Sequence, residues 1–424
     1  MRTHAVAAFA LLCALCAGPP AFPVSNQFQH ATGTVNVEVP VRVFDGDRFV
    51  DGLGLQDFKV FDDGRPQKVA ALYLIRGPDM ERKETPDPPA APEPHRGRTI
   101  VLHFQLAEPN PKLDEAADYL VDRVLGPEDS LTVITPRGTY AYDPAALARR
   151  PRPDIAREIK GRIRKDVVAE SAERRRLAGD LRDVERSSVD ADEKLARMSE
   201  IQRQIRDRVS ITPGSLRRMA GALKGLEGQK FVFIFYERET VRDASSGGLG
   251  DGGLLAAEGQ LGDMAATEAR RTPTVGPAEI ERAFSDASVT VHFIYLTRPG
   301  RNAAGLGVED QVGEDPGVKY GTARPDPNGR EADISAGLFA AFRQMAETSG
   351  GVAVSSASAM AGFKAAATAT GNYYLLYYAP DEYRADGRFH AIEVRVKLPG
   401  CRVTHRAGYF ADRGPAARGK GSKG

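Results

Sequence analysis

Four short apolar runs, separated by stretches with helical spacing, constrain this chain more than any other feature. They are Thr99–Phe104, Ser130–Ile134, Phe231–Phe235 and Val289–Leu296. Runs this short read as strands, and strands apolar at nearly every position are buried on both faces. Helical periodicity falls near 111–125, 213–226 and 277–287. A further helix near 331–348 sets Ile334, Leu338, Phe342 and Met345 on one face and ends at Gly350 and Gly351, before a last strand Gly351–Val354. Strands and helices in alternation predict an α/β unit over 99–370, a doubly wound, largely parallel sheet with helices on both faces.

The ends of the chain have a different period. Val35, Val37, Val39, Val41 and Val43 occupy every second position, which marks a strand with one buried face. Pro40 lacks an N–H, so this strand is expected at an edge or with a bulge. Asp45-Gly46-Asp47 and Asp62-Asp63-Gly64 are turn signals between further strands, Asp57–Phe61 and Gln67–Ile75. Near the other end, Asn372–Tyr378, Phe389–Lys397 and Cys401–Phe410 alternate again. The two parts, 34–76 and 371–411, are expected to pack as one small split β domain around the α/β unit. Residues 77–98 hold six prolines and read as a semi-rigid linker. The tail 412–424 reads as disordered and basic.

Two insertions interrupt the α/β rhythm. Residues 154–209 carry 28 charged side chains among 56 positions, fifteen basic and thirteen acidic. Apolar residues recur there at spacings of three and four, giving long helices with a narrow seam. Ser187-Ser188, followed by Asp190 and Glu193, divides them into a helical hairpin of coiled-coil character, its longer arm on the order of 45 Å. The second insertion, 243–275, is Gly-rich and polar, as is the 298–330 loop.

Processing and charge narrow the setting. Met1–His4 precedes the apolar run Ala5–Ala17 and the exit Gly18-Pro19-Pro20-Ala21, a pattern of a secretory signal peptide over 1–21. Thirteen apolar residues are too few to span a bilayer, so no transmembrane segment is expected after its removal. An exported protein, periplasmic or extracellular, is the expectation. Of three cysteines, Cys13 and Cys16 lie in the signal, leaving Cys401 and no internal disulfide. A net charge of +1 argues against nucleic acid as a partner.

The order of elements resembles a von Willebrand factor A-type (vWA) domain, and more narrowly the secreted vWA-related proteins abundant in acidobacteria. The carriers are Val35–Phe44, Asp51–Phe58, Val60–Gly64, Arg98–Leu106, Gly228–Phe235, Ala346–Val352, Tyr377–Pro380, Gly387–Phe389 and Arg406–Tyr409. The resemblance implies a metal-ion-dependent adhesion site that binds Mg²⁺ or Ca²⁺ through an Asp-x-Ser-x-Ser run, a Thr and a second Asp. Here the run falls on Gln105, Leu106, Ala107, Glu108 and Pro109, with Thr212 at the Thr position and Glu237 at the second Asp. Its carboxylate and both hydroxyls are missing, so the site is expected to be vestigial and without a metal cofactor.

Other candidates reduce to structure. Gly248–Gly253 fits G-x-G-x-x-G but lies in a Gly-rich loop, away from any strand-to-helix turn. His103 and His292 lie in apolar strands and read as core histidines. Tyr373, Tyr374, Tyr377 and Tyr378 read as strand packing ahead of an exposed binding face. Asp45, Asp47 and Asp51 read as turn residues, and Arg174-Arg175-Arg176 as a solvated helix face. No catalytic constellation is recognisable. The expected function is therefore a non-enzymatic interaction module with a degenerate adhesion site, scaffolding or adhering in the cell envelope. Its partner would be another protein or an envelope component. Two alternatives stand beside it: a metal-dependent adhesin using Glu237 and Thr212 with Mg²⁺ or Ca²⁺, and an envelope hydrolase whose site the sequence does not display.

Overall fold

The computed structural model describes residues 36–46, 48–77, 79–84, 94–95, 97–106, 110, 112–208, 211–237, 277–296, 342–356 and 358–411. The expected signal peptide, Val35, Asp47, half of the 77–98 stretch, Ala107–Pro109, the 243–275 segment with Gly248–Gly253, the 298–330 segment, Ile334, Leu338 and the basic tail lie outside these residues.

In chain order the strands are β1 (Val37–Asp45), β2 (Arg48–Phe49), β3 (Phe58–Asp62), β4 (Arg65–Gln67), β5 (Val69–Arg76) and β6 (Asp79–Glu84). Next come β7 (Thr99–Gln105) and helix α1 (Lys112–Tyr119), then β8 (Ser130–Ile134) and β9 (Thr139–Tyr142). The helices α2 (Pro144–Ala148), α3 (Arg152–Arg186), α4 (Ala191–Asp207) and α5 (Pro213–Lys224) lead to β10 (Lys230–Glu237). Helix α6 (Pro277–Asp286), β11 (Val289–Leu296), helical residues 342–348 (α7) and β12 (Ala353–Ser356) follow. Helix α8 (Ala359–Gly371) and strands β13 (Asn372–Tyr378), β14 (Phe389–Val396), β15 (Arg402–His405) and β16 (Gly408–Phe410) complete the described chain.

The strands form three sheets. One six-stranded sheet has the order β15–β1–β13–β5–β6, with β2 beside β1, and every pairing in it is antiparallel. A four-stranded antiparallel sheet runs β16–β14–β3–β4. The third has the order β12–β11–β10–β7–β8–β9; its pairs are parallel as far as β8, and β9 runs against β8.

This corrects the expected fold class. A vWA-like, largely parallel sheet with a minor β accessory does not describe the chain, since two wholly antiparallel sheets hold most of its strands and the remaining sheet is mixed. The protein is a mixed α/β fold. The physical reason lies in β13. Tyr374, Leu376 and Tyr378 pack into a core with β1, β3 and β14, while Tyr373, Leu375 and Tyr377 pack against β7, β10 and α3. A strand apolar on both faces needs a layer on each side, so the six-stranded sheet is a middle layer.

Other departures have local causes. The β1 strand is internal, yet the β15 ladder begins only at Val41, so Pro40 occupies the half of β1 that lacks a partner on that side. Part of the presumed linker, Asp79–Glu84, pairs with β5 as a charged edge strand, a composition that discourages pairing with a further chain. Helix α8 has no counterpart among the predicted elements; it packs Ala359, Phe363 and Ala366 into the central core.

The coiled-coil expectation is corrected as well. Ile155, Ala156, Ile159, Ile163 and Val167 of α3 are buried in the same core as the mixed sheet, so the first half of this helix is a sheet cover. Only past Leu177 does it become an arm packed on α4, with Leu181 and Val184 of α3 and Leu195, Met198, Ile201 and Ile205 of α4 half-buried. At the transition Glu170 is buried with Arg208 at 2.8 Å and Arg174 at 3.3 Å, and Asp166 accepts the hydroxyls of Thr135 and Tyr140. Among the described residues no helix is long and apolar enough to cross a membrane.

Candidate metal centre and buried polar interface

The hairpin joining β3 to β4 turns through Asp63 and Gly64, at φ of 48° and 78°. Two positive φ angles are what a tight two-residue hairpin of matching twist requires, and Asp tolerates the left-handed region better than most residues. The turn docks on β14: the Asp63 N–H donates to the Ala391 carbonyl at 2.9 Å, and Asp63 Oδ1 accepts from the Ala391 N–H at 2.8 Å. That register brings His390 over the turn. Its ring stacks on Tyr409 with centroids 5.4 Å apart.

His390 Nδ1 lies 2.9 Å from Asp63 Oδ2 and 3.9 Å from Asp62 Oδ1. One ligand atom each from Asp62, Asp63 and His390 falls within 4.8 Å of the others. Asp62 is anchored through its other oxygen, Oδ2, which accepts the hydroxyls of Tyr378 at 2.8 Å and Tyr409 at 2.9 Å. Burial, and then the Asp62 charge, raise the Tyr378 hydroxyl well above its ordinary pKa. Burial and the bond to Asp62 do the same for Tyr409. Both therefore remain donors. On the far side of the ring, His390 Nε2 is 3.4 Å from Asp386 Oδ1. The Arg388 backbone N–H, which donates to that oxygen, is the leading cause of a lowered Asp386 pKa. This Asp–Asp–His group is the weak cation site that the described residues offer.

The positions expected to carry a vestigial adhesion site do not converge. Gln105 ends β7 and Glu237 ends β10, both buried. Gln105 pairs with Tyr236, so Glu237 is one step out of register and its side chain leaves the opposite face. Thr212 caps α5: its hydroxyl accepts from the Ser215 N–H at 3.1 Å while Ser215 Oγ accepts from the Thr212 N–H at 2.9 Å. Ala107 and Pro109 lie outside the described residues. A degenerate adhesion site therefore does not describe these residues: one hydroxyl is committed to a helix end, and the two polar strand ends point apart.

The histidine pair separates in the same way. His103 pairs with Ile234 and His292 with Phe233, neighbours on β10, so the two imidazoles occupy opposite faces of the mixed sheet. Burial lowers His103 to about 4. Burial and the charge of Arg42 hold His292 well below its usual range. All four tyrosines of β13 are buried, two on each face, so they form no exposed platform.

Between the six-stranded and the mixed sheets lies a polar layer that the sequence does not announce. Arg98 and Asp129 form a buried pair: Asp129 accepts from Arg98 Nη2 at 2.6 Å, from the Arg98 N–H at 2.9 Å and from the Gly126 N–H at 2.7 Å. Glu38 accepts from Gln229 and from the Tyr377 hydroxyl. On the other face of β10, shared with Val232 and Ile234, Lys230 is lowered to about 8 by burial and donates to the Ala287 carbonyl at 2.9 Å.

No family model matches the chain, and no curated protein matches it. Among solved structures it is similar to an aerotolerance-related membrane protein from Bacteroides fragilis at 10% identity and a TM-score of 0.23, over 64% of this chain and 96% of that one. It is also similar to the human COPII-coat protein Sec24c at 10% identity and a TM-score of 0.26, over 75% of this chain and 44% of that one. Likenesses at these scores carry no argument about fold or function. With the sheets largely antiparallel and the expected ligands dispersed, the reading as a vWA-like interaction module is set aside. Its metal-adhesin alternative at Glu237 and Thr212 goes with it. What the structure assembles is the Asp62–Asp63–His390 group.

Proposed function

We propose that the protein is an exported, non-catalytic binder of a divalent metal ion, held by Asp62 Oδ1, Asp63 Oδ2 and His390 Nδ1. The observation that carries this is the approach of those three atoms to within 4.8 Å of one another. Three ligands around a four-coordinate ion with bonds near 2.1 Å stand roughly 3.4 Å apart, and the separations of 2.9 and 3.9 Å bracket that value. The supporting contacts are those a metal site uses: a ligating imidazole donates its other N–H to a carboxylate, and ligating carboxylates are themselves hydrogen-bonded. Asp386 faces Nε2, and two tyrosines hold Asp62.

One imidazole with two carboxylates suits Zn²⁺ or Mn²⁺ better than Mg²⁺ or Ca²⁺, which take oxygen ligands almost exclusively. Asp63 is half exposed, leaving one side of the ion to solvent. The bound ion would pin the β3–β4 turn to β14, a binding and stabilising role. Export rests on the apolar run Ala5–Ala17 after a basic start. The absence of catalysis is supported by the separation of His103 from His292 and by the burial that keeps both neutral.

Titration calorimetry of the mature chain with Zn²⁺, Mn²⁺, Ca²⁺ and Mg²⁺ tests the proposal. One Zn²⁺ or Mn²⁺ per chain is expected, lost in His390→Ala and weakened in Asp63→Asn, with Ca²⁺ and Mg²⁺ weaker. His390 has carboxylates at both ring nitrogens, which favours a second reading in which hydrogen bonds within the group take the place of the ion. That reading predicts no saturable heat with any of the four metals.

A further inference from the structure

Arg42 is the largest fully buried side chain among the described residues, and the metal centre does not use it. It leaves the face of β1 opposite the valines and lies 5.5 Å from the ring centroid of Tyr373. Its Nη1 donates to the Gly350 carbonyl at 2.8 Å. Its Nε and Nη2 are buried without a hydrogen-bond partner among the described residues. Burial lowers its pKa only to about 10, so the guanidinium is still a cation at neutral pH.

Two further buried groups face the same layer. His292 Nδ1 accepts from the Val352 N–H at 3.2 Å, which places the proton of the neutral ring on Nε2. That Nε2 has no partner among the described residues. Thr404 pairs with Arg42 in the ladder between β1 and β15, so the two side chains share a face, and the Thr404 hydroxyl is buried without a partner as well. The Gly350-Gly351 turn ties the group together. A Cβ on Gly350 would sit 3.2 Å from Arg42 Nη1, and one on Gly351 would sit 3.3 Å from His292 Cε1.

We propose that Arg42, His292 and Thr404 form a buried site for a small monovalent anion of the halide class. Donors are in excess: the guanidinium and the imidazole Nε2–H offer only N–H groups, and the hydroxyl can join them. A buried donor without an acceptor is destabilising, and a buried cation without a counter-charge is more so. A water would accept from two of these groups, but it brings two hydrogens of its own and no charge. A halide accepts from all of them, carries no hydrogen and neutralises the one positive charge. Bound there, it would clamp β1 and β15 to β11 and to the turn after α7, joining the antiparallel middle layer to the mixed sheet.

Crystals of the wild-type mature protein grown in sodium bromide, and thermal unfolding in chloride or bromide against sodium gluconate at equal ionic strength, decide it. An anomalous bromide peak within hydrogen-bonding distance of Arg42 Nε or Nη2 and His292 Nε2 is expected. A saturable rise of the unfolding midpoint in halide should accompany it, and both should disappear in Arg42→Met and be reduced in His292→Phe. The wild-type crystal stands even if a variant fails to fold. A water or no density at that position, a bromide peak without any halide effect on unfolding, or an unchanged halide effect in Arg42→Met would each overturn the proposal.

Discussion

The two faces of β13 solve the same packing problem in opposite ways. Towards the four-stranded sheet, Tyr374 and Tyr378 enter a core of valine, leucine and isoleucine, and the buried charge at its rim, Asp62, is met by two hydroxyls. Towards the mixed sheet, Tyr373 and Tyr377 lie beside Arg42, Glu38, Gln229 and the Arg98–Asp129 pair. The first interface is apolar with one well-satisfied anchor. The second buries several charges whose partners are shared or incomplete. Apolar burial stabilises without regard to direction, whereas buried charges stabilise only when each partner is in place. Single substitutions should therefore damage the polar interface more.

The largest effect is expected from Asp129→Ala. It leaves Arg98 buried and unpaired together with two backbone donors, at a cost of about 3–5 kcal/mol in chemical denaturation. A loss below about 1 kcal/mol would mean that water reaches this layer and the contrast is false. Acid should act next. His103, near 4 in the folded protein against 6.5 when unfolded, stays neutral in the fold while the unfolded chain takes up a proton. Its contribution is complete above pH 6.5, declines below it and is gone near pH 4, a total of about 3 kcal/mol. Urea midpoints measured across that range should fall with pH, and His103→Leu should flatten the slope.

On the apolar side, Asp62→Ala orphans the Tyr378 and Tyr409 hydroxyls and should cost about 2–3 kcal/mol in metal-free protein. Tyr378→Phe and Tyr409→Phe should each cost about 1 kcal/mol, and the double variant less than their sum because both donate to one oxygen. The smallest effect belongs to Thr212→Ala. Loss of the α5 cap should cost about 1 kcal/mol and leave metal binding unchanged. A change in metal affinity there would return Thr212 to a binding role.

What the sequence made legible was local. Phe231–Phe235 and Val289–Leu296 are apolar at every step because helices or another sheet cover both faces, and they are strands where the pattern put them. The hairpin break was legible because its signals act over three residues: Ser187 Oγ donates to the Val184 carbonyl, and Asp190 Oδ1 accepts from the Glu193 N–H. What escaped depends on register between distant segments. Asp62-Asp63-Gly64 reads as a turn and nothing more until β14 pairs with it across 328 positions and sets His390 above it. The weight of the antiparallel layers was equally hidden, because β13 alone does not reveal that a second sheet covers its other face. Gln105, Thr212 and Glu237 fall at the expected positions along the chain, but their registers and caps direct them elsewhere.

The central claim is that Asp62, Asp63 and His390 bind one divalent ion. Native mass spectrometry of the protein after exposure to Zn²⁺ and desalting tests it most directly. The account predicts a single added zinc in the wild type that is absent from His390→Ala at the same loading. A wild-type spectrum without metal, or one zinc retained equally by both proteins, would contradict it.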